Sequence, residues 1–150
     1  MSIQINTRAP AQYTESITIN APIQTVWGVL SAIDKWPAWN PDIQSVNLLG
    51  PVEVGTMFIW KSGPSKITSL LEEVSVPHSI AWTGKTMGIK AVHTYTLVER
   101  DGQTIVTTAE SFEGLIVKLF KNMMVNTMAK SGHTGLEHLK NAAEKSQQSV

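Results

Sequence analysis

The sequence predicts an α+β domain in which a curved antiparallel β-sheet covers one long C-terminal helix. Two observations predict this class. Segments rich in β-forming residues, joined mostly by short turns of glycine, proline and aspartate, fill the middle of the chain. Apolar residues then recur at a spacing of three or four from residue 114 to about residue 144, which is typical of an amphipathic helix. A helix with so wide an apolar face needs a covering layer, and the preceding strands supply it.

The chain before this helix divides into a strand, two short helical segments and six further strands. Tyr13 to Ile19 is rich in β-forming residues and ends in alternation, which predicts the first strand. Pro22 suits the first turn of a helix, because the N–H it lacks would have no partner there. Asp34 is placed to cap a second short helical turn. The six further strands are predicted over 43–48, 56–61, 66–74, 79–83, 89–99 and 104–112.

The strand over 89–99 has the clearest alternation. One of its faces carries Ile89, Ala91, His93, Tyr95 and Leu97. Asp101-Gly102 is a hairpin turn, so this strand and the next are neighbours. A register centred on that turn places His93 opposite Glu110.

Length, charge and cysteine content bound the possible functions. The 150 residues fit one domain over 1–150, with a loosely held arm over 1–11 and a polar tail over 145–150. Twelve basic and twelve acidic residues balance, which argues against a nucleic-acid binder and against a polybasic membrane-surface protein. The absence of cysteine excludes disulfides, thiol catalysis and thiolate metal sites. Neither a signal peptide nor a membrane span is visible, so a cytoplasmic protein is expected.

Several segments resemble the polyketide cyclase/dehydrase-like proteins of the START-like (SRPBCC, birch-pollen-allergen-like) superfamily. The segments that carry the resemblance are Ile17-Thr18-Ile19-Asn20-Ala21-Pro22, Val26-Trp27, Ile33-Asp34-Lys35-Trp36-Pro37-Ala38-Trp39-Asn40-Pro41, Gly55-Thr56, Ala81-Trp82-Thr83-Gly84 and Glu110-Ser111-Phe112-Glu113-Gly114. The likeness covers about residues 13–142. It implies the helix-grip fold, a bent antiparallel sheet around the C-terminal helix with a deep apolar cavity between them. Members of the superfamily bind lipids, sterols or polyketides, and a minority do chemistry on them.

His93 and Glu110 are the candidates for chemistry. His93 shares its strand face with Tyr95 and apolar residues, so we expect it to face the helix and any cavity. A His–Glu pair there is either a dyad for proton transfer, as in a polyketide cyclase-, dehydratase- or isomerase-type enzyme, or a structural pair that keeps a polar group satisfied. Such a pair is more often structural.

The leading functional hypothesis is binding of a hydrophobic small molecule, lipid-like or polyketide-like, between the sheet and the C-terminal helix. The residues expected to contact it are Phe58, Trp60, Trp82, His93, Tyr95, Glu110, Phe120, Met123, Met124 and Thr127. Plain core packing is the alternative for each aromatic and methionine. A third hypothesis is a protein-partner module without ligand, which predicts an exposed apolar patch outside the cavity.

No cofactor or metal site is predicted. His133 and His138 lie about 140° apart around a helix, so they do not share a metal-binding face. Gly84-Lys85-Thr86 looks like the end of a phosphate-binding loop, but Ser79 stands where the first glycine is required. Gly132 and Gly135 each weaken the helix by about 1 kcal/mol relative to alanine, which indicates a close backbone approach or a bend.

Overall fold

Seven strands form one antiparallel sheet in the computed structural model, which describes residues 2–148. They are β1 (Ala11–Ile19), β2 (Ile43–Leu48), β3 (Met57–Ser62), β4 (Ser65–Ser75), β5 (Ser79–Thr86), β6 (Ile89–Arg100) and β7 (Gln103–Glu113). Their order across the sheet is β1-β7-β6-β5-β4-β3-β2, so β2 to β7 form a meander and β1 adds to its far edge. Bulges in β2 and β4 help the sheet to curve. The α+β helix-grip prediction is confirmed.

The helices follow the first strand and the last strand of the chain. They are α1 (Ile23–Ser31), a 3-10 turn (Ile33–Lys35), α2 (Trp36–Trp39), α3 (Leu115–Leu119) and α4 (Lys121–Gln148). The expectation of one unbroken helix from residue 114 is wrong at its start, because Phe120 adopts φ −120° and ψ 41° and separates α3 from α4. At the other end, α4 continues through residues 145–148 of the predicted polar tail, and residues 149 and 150 lie outside the described part of the chain.

The hairpin between β6 and β7 confirms the predicted turn and register. Asp101 and Gly102 have φ values of 55° and 79°, as a two-residue turn of the primed type requires. This turn brings His93 directly opposite Glu110. The register matters because it sets which side chains share the face that α4 covers.

Hydrogen bonds to the carboxylates of Glu99 and Glu144 tie α1 and α4 to the sheet. Ile23 N, at the start of α1, donates to Glu99 Oε1 at 2.9 Å, while the expected cap Asp34 lies inside the 3-10 turn and makes no capping bond. Glu144 of α4 accepts from Asn20 N at 2.9 Å and from Lys140 Nζ at 2.6 Å. The hydrogen bond from Lys140 is the main cause of a lowered pKa at Glu144.

Trp36 joins the short helices to the sheet. Its indole is buried, and Nε1 donates to the carbonyl oxygen of Leu30 at 2.9 Å. Its ring centroid lies 5.6 Å from those of Phe58 and Trp60 and 5.3 Å from that of Trp82. These four rings fill the concave face over β3 to β5, so the helix-covered part of the sheet is the β1 side.

The N-terminal segment, expected to be a loosely held arm, lies on the sheet face opposite α4. Ile3 N donates to Glu73 Oε1 at 2.9 Å, and Asn6 N donates to the buried Ser111 Oγ at 3.0 Å. Residues 2–7 therefore satisfy a buried hydroxyl on that face.

The two glycines of α4 face tyrosines on different strands of the sheet, Tyr13 of β1 and Tyr95 of β6. A Cβ at Gly132 would stand 2.3 Å from Tyr13 Cε1, so the tyrosine ring occupies the space that a side chain would take. A Cβ at Gly135 would meet only Tyr95 Oη, at an ordinary 3.9 Å. The close backbone approach expected from these glycines is present at Gly132.

We predict opposite effects for alanine at these two positions. Both Gly132→Ala and Gly135→Ala gain about 1 kcal/mol of helix propensity, but only Gly132→Ala forces the Tyr13 ring to move, which costs about 1–3 kcal/mol. Chemical denaturation should therefore find Gly135→Ala more stable than the parent and Gly132→Ala less stable than Gly135→Ala by that amount. Equal stabilities would mean that α4 stands further from β1 than described.

Candidate functional site

A row of polar and aromatic side chains crosses the face of the sheet that α4 covers. We name it the polar row, and it consists of Tyr13, Glu110, His93, Trp82 and Tyr95. Strand pairing sets Tyr13 of β1 opposite Glu110 of β7, Glu110 opposite His93 of β6, and His93 opposite Trp82 of β5. Tyr95 continues the row one step along β6, with its ring 4.9 Å from that of His93 and 5.8 Å from that of Trp82. Four strands thus contribute to one site, and the hairpin registers fix their order.

His93 faces protein groups at both ring nitrogens. Nε2 lies 2.8 Å from the buried Thr108 Oγ1, which is a hydrogen bond. Nδ1 lies 3.1 Å from Glu110 Oε2, but the N–H direction misses the carboxylate, so this contact is electrostatic and leaves Nδ1 without a hydrogen bond. The side chains of His93 and Glu110 are 13% and 18% exposed, so both are largely buried but still reach solvent.

Two buried polar atoms in this row have no hydrogen-bond partner within the described residues. They are Tyr13 Oη and His93 Nδ1. Such atoms are rare in folded proteins, because a buried polar group without a partner costs about 1–3 kcal/mol. They lie on β1 and β6, on either side of Glu110 of β7, and indicate a place where a polar atom from outside the chain is accommodated.

Both tyrosines of the chain are held neutral at this site. Burial raises the pKa of Tyr13 to about 12, and the nearby Glu15 carboxylate adds to the rise although Tyr13 Oη forms no hydrogen bond of regular geometry with it. Burial also raises the pKa of Tyr95 to about 12, against the opposing effect of a hydrogen bond with Thr108. Each phenol is therefore an O–H donor at neutral pH and not a phenolate.

The polar row lies between two apolar clusters. The larger cluster joins Tyr95, Leu97 and Val106 of the sheet to Leu136 and Leu139 of α4. The smaller one, under α3 and the start of α4, is centred on Ala11, Val117 and Met128, with Tyr13, Ile89 and Phe112 packed against it. Because the two clusters are separate, the interior is not one continuous core, and His93 and Glu110 belong to neither.

The predicted aromatic contacts lie close to the row. Trp82 is buried, and its ring centroid lies 4.8 Å from that of His93. Phe58 is fully buried behind Trp82, at 5.8 Å. Trp60 is partly buried and donates through Nε1 to Ser69 Oγ at 3.0 Å. Trp82 thus belongs to the row, while Phe58 packs behind it and Trp60 packs against Trp36.

The predicted contacts on the helix are placed differently. From the sequence we expect Phe120, Met123, Met124 and Thr127 to meet the strand face. In the structure Phe120, Met123 and Thr127 are exposed and only Met124 is half-buried. Phe120 interrupts the helix between α3 and α4, so the apolar spacing on its two sides does not belong to one helix. Their role in ligand binding stays a prediction.

Tyr13 is the site residue that the sequence analysis missed. Alternation already placed it on the same face as Ile17 and Ile19, which are core residues. The missing information was the pairing of β1 with β7, which brings Tyr13 next to Glu110. A pairing between the first and last strands leaves no short-range signal in the sequence.

Two pockets of the described surface lie away from His93 and Glu110. One of about 480 Å³ lies at the β5–β6 turn and is lined by Lys66, Lys85, Thr86, Met87, Gly88, Ile89 and Lys90. The other, of about 280 Å³, lies under the N-terminal segment on the opposite face of the sheet. Within residues 2–148 there is also no group of three or more His, Asp or Glu side chains arranged to hold a metal, and no helix long and apolar enough to cross a membrane.

Comparison with known proteins agrees with this geometry. The model of the family described as polyketide cyclase/dehydrase and lipid transport matches residues 10–144. No curated protein sequence matches the chain.

Solved structures share the fold at low sequence identity. A hypothetical protein from Helicobacter pylori has a TM-score of 0.82 and 14% identity, over 95% of this chain and 98% of its own. An aromatase/cyclase from a Streptomyces species has a TM-score of 0.77 and 15% identity, over 89% of this chain and 93% of its own. A START superfamily protein from Mycobacterium smegmatis has a TM-score of 0.66 and 15% identity, over 93% and 99%.

The two raised pKa values predict how the protein responds to alkaline pH. The folded pKa of each tyrosine, about 12, lies above its unfolded value near 10. The two neutral tyrosines therefore make their full contribution to the free energy of unfolding below pH 10, and this contribution is lost as pH rises towards 12. Ultraviolet absorbance of the folded protein should show no tyrosinate near pH 10, and the melting temperature should fall between pH 10 and 12. Tyrosinate at pH 10 in the folded chain would contradict the burial of these hydroxyls.

The hydroxyl of Thr108 is predicted to support His93. Thr108→Val removes the partner of a buried ring nitrogen, so we expect a loss of about 1–3 kcal/mol in the free energy of unfolding. Thr107→Val is the matched control, because its hydroxyl pairs with Ser16 Oγ on the exposed side of the same strand, and it should change stability by less than about 0.5 kcal/mol. Similar losses in both variants would show that Thr108 has no special role.

Proposed function

Because the chain belongs to the polyketide cyclase/dehydrase and lipid transport family, we propose that it binds a hydrophobic small molecule at the polar row on the concave face of the sheet. Family and fold support hydrophobic-ligand binding or cyclase-type activity in general terms. The observation that carries the finer proposal is the pair of buried, unpartnered polar atoms, Tyr13 Oη and His93 Nδ1, between two apolar clusters.

The charges at the row favour a neutral oxygen on the ligand. Tyr13 is protonated at neutral pH and offers an O–H to an acceptor. Glu110, which lies 3.1 Å from His93 and opposite Tyr13, repels an anionic group. A carbonyl or hydroxyl oxygen satisfies Tyr13 without placing a second negative charge beside Glu110. The ligand class is therefore a neutral, largely apolar molecule with at least one such oxygen.

Aromatic surface supplies the apolar part of the binding energy. Trp82 and Tyr95 flank His93, and the smaller apolar cluster lies on the other side of the row. Burial of apolar surface contributes about 25 cal/mol per Å² before the entropic costs of binding. A flat aromatic or lipid-like body laid along Trp82 fits this arrangement better than a sugar or a nucleotide.

Entry of such a ligand requires a movement at the α3–α4 junction. The two pockets described above lie away from His93 and Glu110, and α4 covers this face of the sheet, so we expect the start of the helix to move when a ligand enters. Phe120 breaks the helix between α3 and α4, and Leu119, Phe120 and Met123 beside the break are exposed. A rotation at Phe120 that turns these side chains inward gives the predicted contacts of Phe120 and Met123 with the ligand.

Catalysis by the His93–Glu110 pair is the second candidate. A carboxylate 3.1 Å from Nδ1 would orient a histidine base if the ring turned so that its N–H pointed at Glu110. However, Nε2, the nitrogen that such a base would present to a substrate, is bound to Thr108 at 2.8 Å. We therefore place binding ahead of proton transfer, with His93 and Glu110 as a structural pair that lines the site.

A matched pair of probes tests the proposal. Acetylnaphthalene carries a carbonyl, and ethylnaphthalene has nearly the same shape without it. We expect the protein to bind the ketone about five-fold more tightly, because one added hydrogen bond from Tyr13 contributes about 1 kcal/mol. Tyr13→Phe should remove this preference and leave the affinity for ethylnaphthalene unchanged, as measured by calorimetry or tryptophan quenching.

The controls separate binding from the alternatives. Native mass spectrometry of protein purified from cells should show a co-purified apolar molecule, and its fragmentation identifies the compound. No binding of either probe, together with a clean unliganded mass, would overturn the proposal. If His93→Gln keeps its fold and its probe affinity but loses turnover on a ketone substrate, catalysis is the better account.

A further inference from the structure

Basic side chains gather at one end of the sheet, although the chain as a whole is neutral. Six of the twelve basic residues lie at the end formed by the β3–β4 turn, the β5–β6 turn and the α3–α4 junction. They are Lys61, Lys66, Lys85, Lys90, Lys118 and Lys121. All six are exposed, and none forms an ion pair with another described residue. Asp42 and Glu113 are carboxylates of the same end, so its charge is strongly positive. We name these six lysines and the turns that carry them the basic end.

Three of these lysines surround the larger surface pocket. Strand pairing sets Lys85 opposite Lys90, and Lys66 follows on the adjacent strand β4. Together with the β5–β6 turn they line an open pocket of about 480 Å³. Lysines repel one another, and Glu113 lies opposite Lys90 without forming an ion pair with it, so one carboxylate faces three lysines and a bound anion would stabilise the group. The size of the pocket suits a phosphate-bearing group and not a single small ion.

Large apolar side chains project from the same end. Leu115, Leu119, Phe120 and Met123 each expose more than half of their surface. They lie on α3 and the start of α4, which are joined to the β5–β6 turn because Gly114 packs against the carbonyl oxygen of Gly88. Lys118 and Lys121 lie between them in sequence. An exposed apolar group interleaved with lysines is the pattern of a surface that enters the headgroup region of a bilayer.

Met87, at the tip of the β5–β6 turn, has a backbone conformation that methionine rarely adopts. Its φ is 46°, a region that asparagine, aspartate and glycine favour, and its side chain is 80% exposed. The equivalent turn between β6 and β7 has the favourable pair Asp101-Gly102. An apolar residue that is both strained and exposed gives nothing to the stability of the fold. This combination is typical of a residue retained for a contact outside the chain.

We propose that the basic end docks on a lipid bilayer with anionic headgroups. Lysines of the pocket hold lipid phosphates, while Met87, Leu115, Leu119, Phe120 and Met123 enter the boundary between headgroups and acyl chains. The same surface surrounds the α3–α4 junction, so a bound bilayer lies next to the place where a hydrophobic ligand enters. The docking goes beyond the proposed ligand binding and does not depend on which molecule the site takes.

Charge is the reason to prefer a bilayer to a protein partner. The core of a protein interface is depleted in lysine, because burying an ammonium group is costly. Here lysines alternate with the apolar side chains, and their long stems allow the charges to stay in the headgroup layer. The basic and acidic residues balance over the whole chain, which argued against a membrane-surface protein. The basic end, however, carries an excess of positive charge.

Vesicle flotation with the full chain tests the docking. We expect the protein to float with vesicles of phosphatidylcholine and phosphatidylglycerol, not with phosphatidylcholine alone, and to be released by salt. Lys85→Gln and Lys90→Gln should each weaken binding about five-fold. Arg100→Gln, at the turn of the opposite end, is the matched control and should have no effect. Leu119→Ser should weaken binding about ten-fold, whereas the control Leu49→Ser, at another exposed leucine, should not.

Met87→Asn separates docking from folding. Asparagine followed by glycine is the favoured pair for this turn, so the variant should melt a few degrees higher than the parent. Its affinity for the mixed vesicles should nevertheless fall several-fold, because the apolar tip is lost. A variant that is more stable and binds less cannot be explained by misfolding.

Three outcomes would overturn the proposal. They are absence of binding to the mixed vesicles, equal binding to both kinds of vesicle, and binding that Lys85→Gln and Leu119→Ser leave unchanged. Association of the chain with itself, abolished by Leu119→Ser and unaffected by vesicles, would assign the surface to a protein contact instead. Failure of the naphthalene probes to bind, with vesicle binding intact, would remove the ligand proposal alone.

Discussion

The approach of α4 to β1 at Gly132 determines where the helix lies over the sheet. Because Gly132 has no side chain, the Tyr13 ring fits beneath it, and the helix rests on the β1 edge. The concave face over β3 to β5 is then left to Trp36, Phe58, Trp60 and Trp82. The polar row lies where these two coverings meet, so the position of the site follows from one close contact between a helix and a strand.

A domain under selection for stability alone would fill this position with apolar side chains, because buried polar groups without full partners are costly. Instead, Tyr13 Oη and His93 Nδ1 lie unpartnered between two apolar clusters, with Glu110 beside them. The chain tolerates this cost within a sheet of otherwise regular pairing. Unmet hydrogen-bonding capacity inside an apolar surround is what allows a site to select one orientation of a mostly featureless ligand.

The sheet could be predicted from the sequence because its information is local. Alternation located the strands, and the Asp101-Gly102 turn set His93 opposite Glu110. Tyr13 was missed because its partner strand is the last one in the chain, and pairing at that distance leaves no local signal. The prediction of one unbroken helix was wrong at Phe120 for a related reason. Periodicity shows that a segment has an apolar face, but not whether the chain buries that face. Side chains that serve an external surface have the same pattern as those that serve a core.

The order of the strands also has a consequence for how the chain folds. Ser16 and Thr107 are hydrogen-bonded neighbours although they are 91 positions apart, whereas β2 to β7 pair through short hairpins. During synthesis β1 leaves the ribosome first but has no partner until β7 and α4 have followed. The meander therefore assembles before its edge is closed, and we expect the joining of β1 to be the slow, non-local step of folding. Until then the edge of β7 is free, so aggregation of nascent chains should begin there.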